Sequence, residues 1–268
     1  MDDRIGAYKT KPFSKDRQNI VLILNESWRK HSIHALVEVD VTKAREIISN
    51  YKEKGERISF TGWIIKCIAQ AISEQKELNA CRWRKKIVIF DDVDVAIPVE
   101  RYVGKEARVM AYIIRKANEK SVREITDEIR KAQGEDVNEL TQVLGKKLTR
   151  LEKFAINAPL FIKKILLWVV RKHGILKKKH MGTVGVTAVG MMGKFPGWLL
   201  PLGGVTTILV ALGGINKKPG VINDEIKIRE YLSMTITVDH DLIDGAPLAR
   251  FVSRLTDLIE NAFGLNHH

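Results

Sequence analysis

The sequence predicts an α+β protein, a two-layer sandwich in which helices cover a mixed β-sheet. Two observations lead there: apolar runs of strand length alternate with stretches that carry one apolar helical face, and their order lacks the regular alternation of a doubly wound sheet. Hydrophobic residues make up 45% of the 268 and charged residues 29%. That supplies a sizeable core and leaves no room for wholesale disorder. No repeat, low-complexity tract or Pro/Ser-rich linker divides the chain, so one domain over 1–268 is expected.

Residues 33–39 read as the first strand, and Asp40 as the cap of a helix over 41–51. A second helix starts near Thr61, with Ile64, Ile65, Ile68, Ala69 and Ile72 on one face. Residues 86–90 and 93–99 read as strands with Asp91-Asp92 as the turn between them, and 109–114 as another. Ser121-Val122-Arg123-Glu124 has capping-box spacing and opens a helix carrying Val122, Ile125 and Ile129. A charged helical segment follows through Leu140, Val143, Leu144, Leu148 and Leu151. Residues 159–170 are strongly apolar, interrupted by Lys163 and Lys164 and followed by Arg171, Lys172 and Lys177 to Lys179. Strands are expected at 183–189, 205–212 and 226–238. The last helix begins near Ala246-Pro247 and buries Leu248, Phe251, Val252, Leu255 and Ile259.

Lys plus Arg outnumber Asp plus Glu by 45 to 32, a formal net charge of +13. Such a balance suits nucleic acid, an acidic membrane or a phosphate-bearing ligand such as coenzyme A. No nucleic-acid-binding motif accompanies the basic clusters at 82–86 and 177–179, which read as solvated faces. Cys67 and Cys81 exclude a disulfide framework, and residues 1–17 lack the apolar core of a secretory signal, so a cytoplasmic protein is expected. Residues 195–216 carry no charge. However, Pro196, Pro201, two glycine pairs and the β-branched run at 205–208 fit two buried strands joined by a glycine-rich loop better than a membrane span.

No GxxxxGK[ST] loop, GxGxxG turn, HExxH or GxSxG occurs, and the cysteine spacing suits no metal. No metal site is expected. What remains is Asp239-His240-Asp241-Leu242-Ile243-Asp244-Gly245, between an alternating strand and the last helix. HxxxDG preceded by Asp in that position resembles the catalytic motif of the 2-oxo acid dehydrogenase acyltransferase core. Chloramphenicol acetyltransferase and peptide-synthetase condensation domains share the HxxxDG part. The likeness continues, in order along nearly the whole chain, through Ser14-Lys15-Asp16-Arg17, Ser27, Glu38-Val39-Asp40-Val41-Thr42, Leu78-Asn79-Ala80, the segment from Lys120 to Ile125, and that from Gly185 to Gly193.

Acyl transfer between thiols needs a base for the incoming thiol's proton, and neutral imidazole is matched to that task near pH 7. His240 is the candidate base. A hydroxyl stabilises the oxygen that gains charge as the carbonyl becomes tetrahedral. The resemblance puts Thr187 in that role, pairs Asp244 with Arg17 to hold the loop around His240, and makes Gly245 part of the support. It further implies a chloramphenicol-acetyltransferase-like homotrimer with active sites between protomers, coenzyme A or acyl-CoA as substrate, and direct transfer to a dihydrolipoyl group without an acyl-enzyme. Each residue also has a plainer role: a structural histidine, a turn and helix cap at Asp244-Gly245, a strand-forming threonine. His31 and His34 read as surface or strand-edge residues, and His267 and His268 fit a purification-tag remnant.

Four departures from the family pattern shape the expectations. No lipoyl or subunit-binding domain precedes the core, so a lipoyl carrier supplied in trans is expected. Asp241 stands where the dehydrogenase-complex enzymes usually carry arginine. The family's Gly-Leu-x-x-Pro-Val stretch is Glu106-Ala107-Arg108-Val109-Met110-Ala111 here, which leaves an amine or hydroxyl acceptor, or a non-catalytic trimeric scaffold, as alternatives. The helical, hydrophobic insertion at about 134–180 is read as an extra core helix, ahead of a partner-docking face or an interfacial membrane helix over 160–179. With little apolar tail at its end, the chain is expected to form an isolated trimer.

Overall fold

The structure, a computed structural model, describes residues 6–103, 106–134, 154, 158–190, 193 and 195–265. Helix α1 (Lys15–Ser27) leads into strand β1 (Ser32–Asp40), helices α2 (Thr42–Glu53) and α3 (Phe60–Glu74), and a short hairpin of β2 (Ala80–Trp83) and β3 (Lys86–Ile89). Strands β4 (Val95–Val103) and β5 (Glu106–Ile114) precede α4 (Val122–Gly134). After them come α5 (Leu160–Lys172), α6 (Gly174–Met181), β6 (Val184–Ala188), β7 (Ile208–Ile222), β8 (Glu225–Asp239) and α7 (Gly245–Glu260).

Six strands form one mixed sheet in the order β1-β8-β7-β6-β4-β5. Strands β4, β6 and β7 run parallel to their neighbours in that group, and the remaining pairs are antiparallel. Helices α3, α4 and α7 cover one face: α3 packs on α4 and α7, α4 on β4, and α7 on β1. Between the layers lie Trp63, Ile64, Ile65, Ile68 and Phe251, all fully buried, against Val95, Val184, Ile208, Val210, Met234 and Ile236 of the sheet. The Trp63 indole N–H donates to the Phe263 carbonyl at 2.9 Å, which satisfies the one polar atom this packing encloses. The two-layer α+β reading holds.

Local signals set the helix starts. Ser59 Oγ accepts from the Gly62 N–H at 3.1 Å and begins α3. At α4 the capping box closes both ways: the Ser121 N–H donates to Glu124 Oε2 at 2.7 Å, and Ser121 Oγ accepts from the Glu124 N–H at 3.2 Å. Helix α2 starts one residue later than expected, with Asp40 Oδ1 accepting from the Thr42 N–H at 2.9 Å.

The structure corrects several expectations. Asp91-Asp92 is not a hairpin turn, because β3 pairs with β2 in a separate two-stranded sheet and β4 pairs with β5. The basic cluster at 82–86 therefore spans the turn of the β2–β3 hairpin and the strand ends beside it. Residues 195–207 hold no strand of the main sheet. They form a loop on the face opposite the helices, where the Trp198 indole N–H donates to the Val37 carbonyl at 3.0 Å. Only β7 continues from that apolar stretch, and it runs ten residues past the expected end at Leu212. It forms with β8 a long hairpin turned by Asn223 and Asp224, whose φ angles are 52° and 62°. Strand β6 ends where Gly190 crosses β7. A Cβ there would lie 1.7 Å from the Gly213 carbonyl oxygen, so only glycine fits.

The expected core helix at 160–170 is the largest correction. Helix α5 forms, yet none of its residues is buried, and Phe161 and Trp168 are more than half exposed. It rests on α1 through polar contacts, Lys163 Nζ to Asn19 Oδ1 at 2.8 Å and Arg171 Nε to Glu26 Oε2 at 3.4 Å. The helical segment read through Leu140 to Leu151 lies outside the described residues. No helix among the described residues is long and apolar enough to cross a membrane.

Candidate active site

His240 follows the last residue of β8, at the end of the sheet where β1 begins. The register pairs Asp239 with Ser32, and the His240 N–H donates to the His31 carbonyl at 2.7 Å. The chain then turns tightly: the N–H groups of Leu242 and Ile243 both reach the Asp239 carbonyl at 3.0 Å. Ile243 is buried and anchors the turn, leaving His240, Asp241 and Asp244 exposed on its outer side. Ile243, with the partly buried Leu242 beside it, thus presents the histidine.

Asp244 occupies the N-cap position of α7 but makes no side-chain cap bond. Its carboxylate turns toward the histidine instead, with Oδ1 3.7 Å from His240 Nδ1. The cap role read from the sequence is therefore not taken up by the side chain. The 3.7 Å separation is too long for a hydrogen bond, and the carboxylate sets negative charge on the Nδ1 side of the ring. Gly245 has open space around it, and nothing within one chain requires glycine there. Arg17 sits in the first turn of α1, its backbone N–H on Ser14 Oγ at 3.2 Å. Among the described residues of one chain it forms no ion pair with Asp244.

Thr187 lies in β6, half-buried, level with Ala211 of β7 and through it with Thr235 of β8. His240 is five residues beyond Thr235 on that strand. The separation is ~16 Å along the sheet and about 10 Å across two strands, so one carbonyl cannot touch both within a chain.

Lys30, which sequence reasoning passed over, and His31 and His34, which it read as surface or strand-edge residues, also belong to this end of the sheet. Lys30 Nζ lies 2.5 Å from the Thr206 carbonyl and 3.6 Å from Asp239 Oδ2, with only 14% of its side chain exposed. Burial, then the charge of Lys177, brings its pKa down to about 7, against the opposing pull of Asp239. His31, taken as a surface residue, is exposed but engaged: its Nδ1 is 2.8 Å from Asp241 Oδ1. Its hydrogen bond to Asp241, reinforced by that carboxylate's charge, raises its pKa. His31, just before β1, thereby holds the acidic residue standing in the family's arginine position. His34 pairs across the sheet with Thr237 Oγ1 at 2.9 Å.

The family model for the 2-oxoacid dehydrogenases acyltransferase catalytic domain matches residues 6–143 and 171–265. The chain belongs to this acyltransferase family. It is 23% identical over 262 residues to the dihydrolipoyllysine-residue acetyltransferase component of the pyruvate dehydrogenase complex of Rickettsia typhi (strain ATCC VR-144 / Wilmington), covering 95% of this chain and 55% of that one. The chain spans about half the length of the curated relatives it matches. A probable dihydrolipoamide acetyltransferase from Listeria monocytogenes 4b F2365 has a similar structure, with a TM-score of 0.69, 21% identity and 98% coverage of both chains. The cubic core of a pyruvate dehydrogenase multienzyme complex gives a TM-score of 0.70 at 16% identity, covering 99% of this chain and 97% of that one. The acyltransferase match breaks at 144–170, which includes most of α5.

Proposed function

We propose that this chain is an acyltransferase that moves a short acyl group between coenzyme A and a thiol, the dihydrolipoyl group of a carrier protein supplied in trans. It would work as a homotrimer with active sites between protomers. The observation that carries the reading is His240 presented at the open sheet end with Asp244 on its Nδ1 side, in a chain of the acyltransferase family.

In this mechanism the Nε2 lone pair of His240 takes the proton of the acceptor S–H as the sulfur attacks the thioester carbonyl. The carbonyl π electrons move to oxygen, and Thr187 of a neighbouring protomer donates a hydrogen bond to that oxyanion. Collapse of the tetrahedral species breaks the bond to the second sulfur, which leaves as a thiolate and recovers the proton from His240. Atoms and charge balance without an acyl-enzyme. The charge of Asp244 stabilises the imidazolium that forms between the two steps.

The test follows acetyl transfer from acetyl-CoA to dihydrolipoamide by His240→Ala. A fall of ~100-fold or more in turnover, with an unchanged melting temperature, is expected for loss of a general base. Undiminished turnover would refute the reading. Transfer to an amine or alcohol but never to dihydrolipoamide would keep His240 as base and replace the acceptor. No transfer to any acceptor by the unaltered protein would leave the non-catalytic scaffold.

A further inference from the structure

Beside the His240 loop lies a cavity of about 310 Å³ that the proposed acyl transfer does not use. Asp239 and Asp241, the two neighbours of His240, form one wall, and Leu167 and Val170 of α5 form another. Around it converge the basic groups Lys30, Arg82, Arg84, Arg171, Lys172 and Lys177, from four separate parts of the chain. Its carboxylates are already engaged: Glu26 with Arg171 and Arg29, Asp239 with Lys30, Asp241 with His31. Arg82, Arg84, Lys172 and Lys177 have no carboxylate partner among the described residues. Crowded like charges in a concave, partly desolvated space are unfavourable without a counter-charge, and an anion seated among them relieves the repulsion.

We propose that this cavity is an anion site for a phosphate-bearing ligand, built by α5 against the loop that carries His240. Several unpaired cations around one space suit a multiply charged phosphate or pyrophosphate better than a single carboxylate. The volume is at the lower end for small-molecule sites, which run from about 300 Å³, and it holds a diphosphate with room to spare. Leu167 and Val170 lie in the segment that the family match skips, so this wall is an addition to the family's core. The site stands independently of acyl transfer. Lys30 supports it, since the charge of Lys177 helps to depress its pKa and a bound anion would offset that effect.

Titration calorimetry with inorganic pyrophosphate at low salt tests the site. Lys172→Ala/Lys177→Ala should weaken binding by ~10-fold or more, the loss expected for charge-assisted hydrogen bonds. Lys52→Ala/Lys54→Ala, at the C-terminal end of α2 and outside the cavity lining, should leave it within about 2-fold. No binding by the unaltered protein, or equal losses in both pairs, would overturn the proposal. So would succinate binding as tightly as pyrophosphate. Competition then names the source of the phosphate. If coenzyme A displaces pyrophosphate, the cavity belongs to the acyl-transfer site and the proposal of a separate anion site falls. If both bind together, it takes a separate phosphorylated ligand.

Discussion

Lys30 and His240 sit at the same end of the sheet and differ in how they can be read. His240 and Asp244 stand four residues apart in a motif, so their partnership is local and visible along the chain. Lys30 and Asp239 are distant in sequence and meet only because β1 pairs with β8. The low pKa of Lys30 has a measurable consequence. Between about 7 and the ordinary 10.5, the unfolded chain holds a proton that folded Lys30 has released. Stability therefore rises with pH there, with a limiting slope of about 1.4 kcal/mol per pH unit. Above the ordinary cysteine value of 9.0 the trend reverses in sign for Cys67, whose thiol burial pushes up, because there the folded state keeps a proton that the unfolded chain loses. The Lys30 effect is accordingly read from pH 7 toward 9, by urea unfolding. The charges facing Lys30 are Lys177 of α6, Asp239 at the end of β8 and the Cys81 thiol of β2. Lys30→Met should flatten the rise; an unaltered slope in that variant would assign it elsewhere.

At the scale of elements, the capping box at Ser121 and the apolar face of α3 were legible because each signal lies within one turn or one helix face. Ser121→Ala should lower stability by about 1 kcal/mol, seen in the midpoint of denaturant unfolding, since it removes the cap of α4. Helix α5 was misjudged because hydrophobicity expresses a tendency to be buried, while burial needs a facing partner. None of its residues is buried, and it meets α1 through polar pairs. Trp168→Ser should change the unfolding free energy of the isolated chain by no more than about 0.5 kcal/mol. Phe251→Ala, by contrast, removes a fully buried ring between α7 and the sheet and should cost about 3–5 kcal/mol. Comparable losses from the two substitutions would mean that α5 belongs to the core after all. The β7–β8 hairpin was only half legible. Its outer part exposes Val221, Ile226 and Ile228, so no buried face marked the strand continuation there.

For the whole molecule, the separation of Thr187 from His240 within one chain requires a second copy if both act on one carbonyl. His240→Ala and Thr187→Ala should each be nearly inactive alone. Unfolded together and refolded as mixed trimers, they should regain a measurable fraction of turnover, because some interfaces then join an intact His240 to an intact Thr187. A mixture as inactive as its parents would place the site within a single protomer.

The sequence by itself determined the α+β class, the apolar face of α3, the capped start of α4, the helix-and-sheet core and the His240–Asp244 motif. Each of these rests on spacing within a few residues or on the apolar face of one element. Only the tertiary structure decided that β3 leaves the main sheet, that α5 lies on the surface, and that Lys30, His31 and the basic cavity gather beside His240. Those depend on strand register and on which surfaces meet, and both are settled by contacts between residues far apart in the chain.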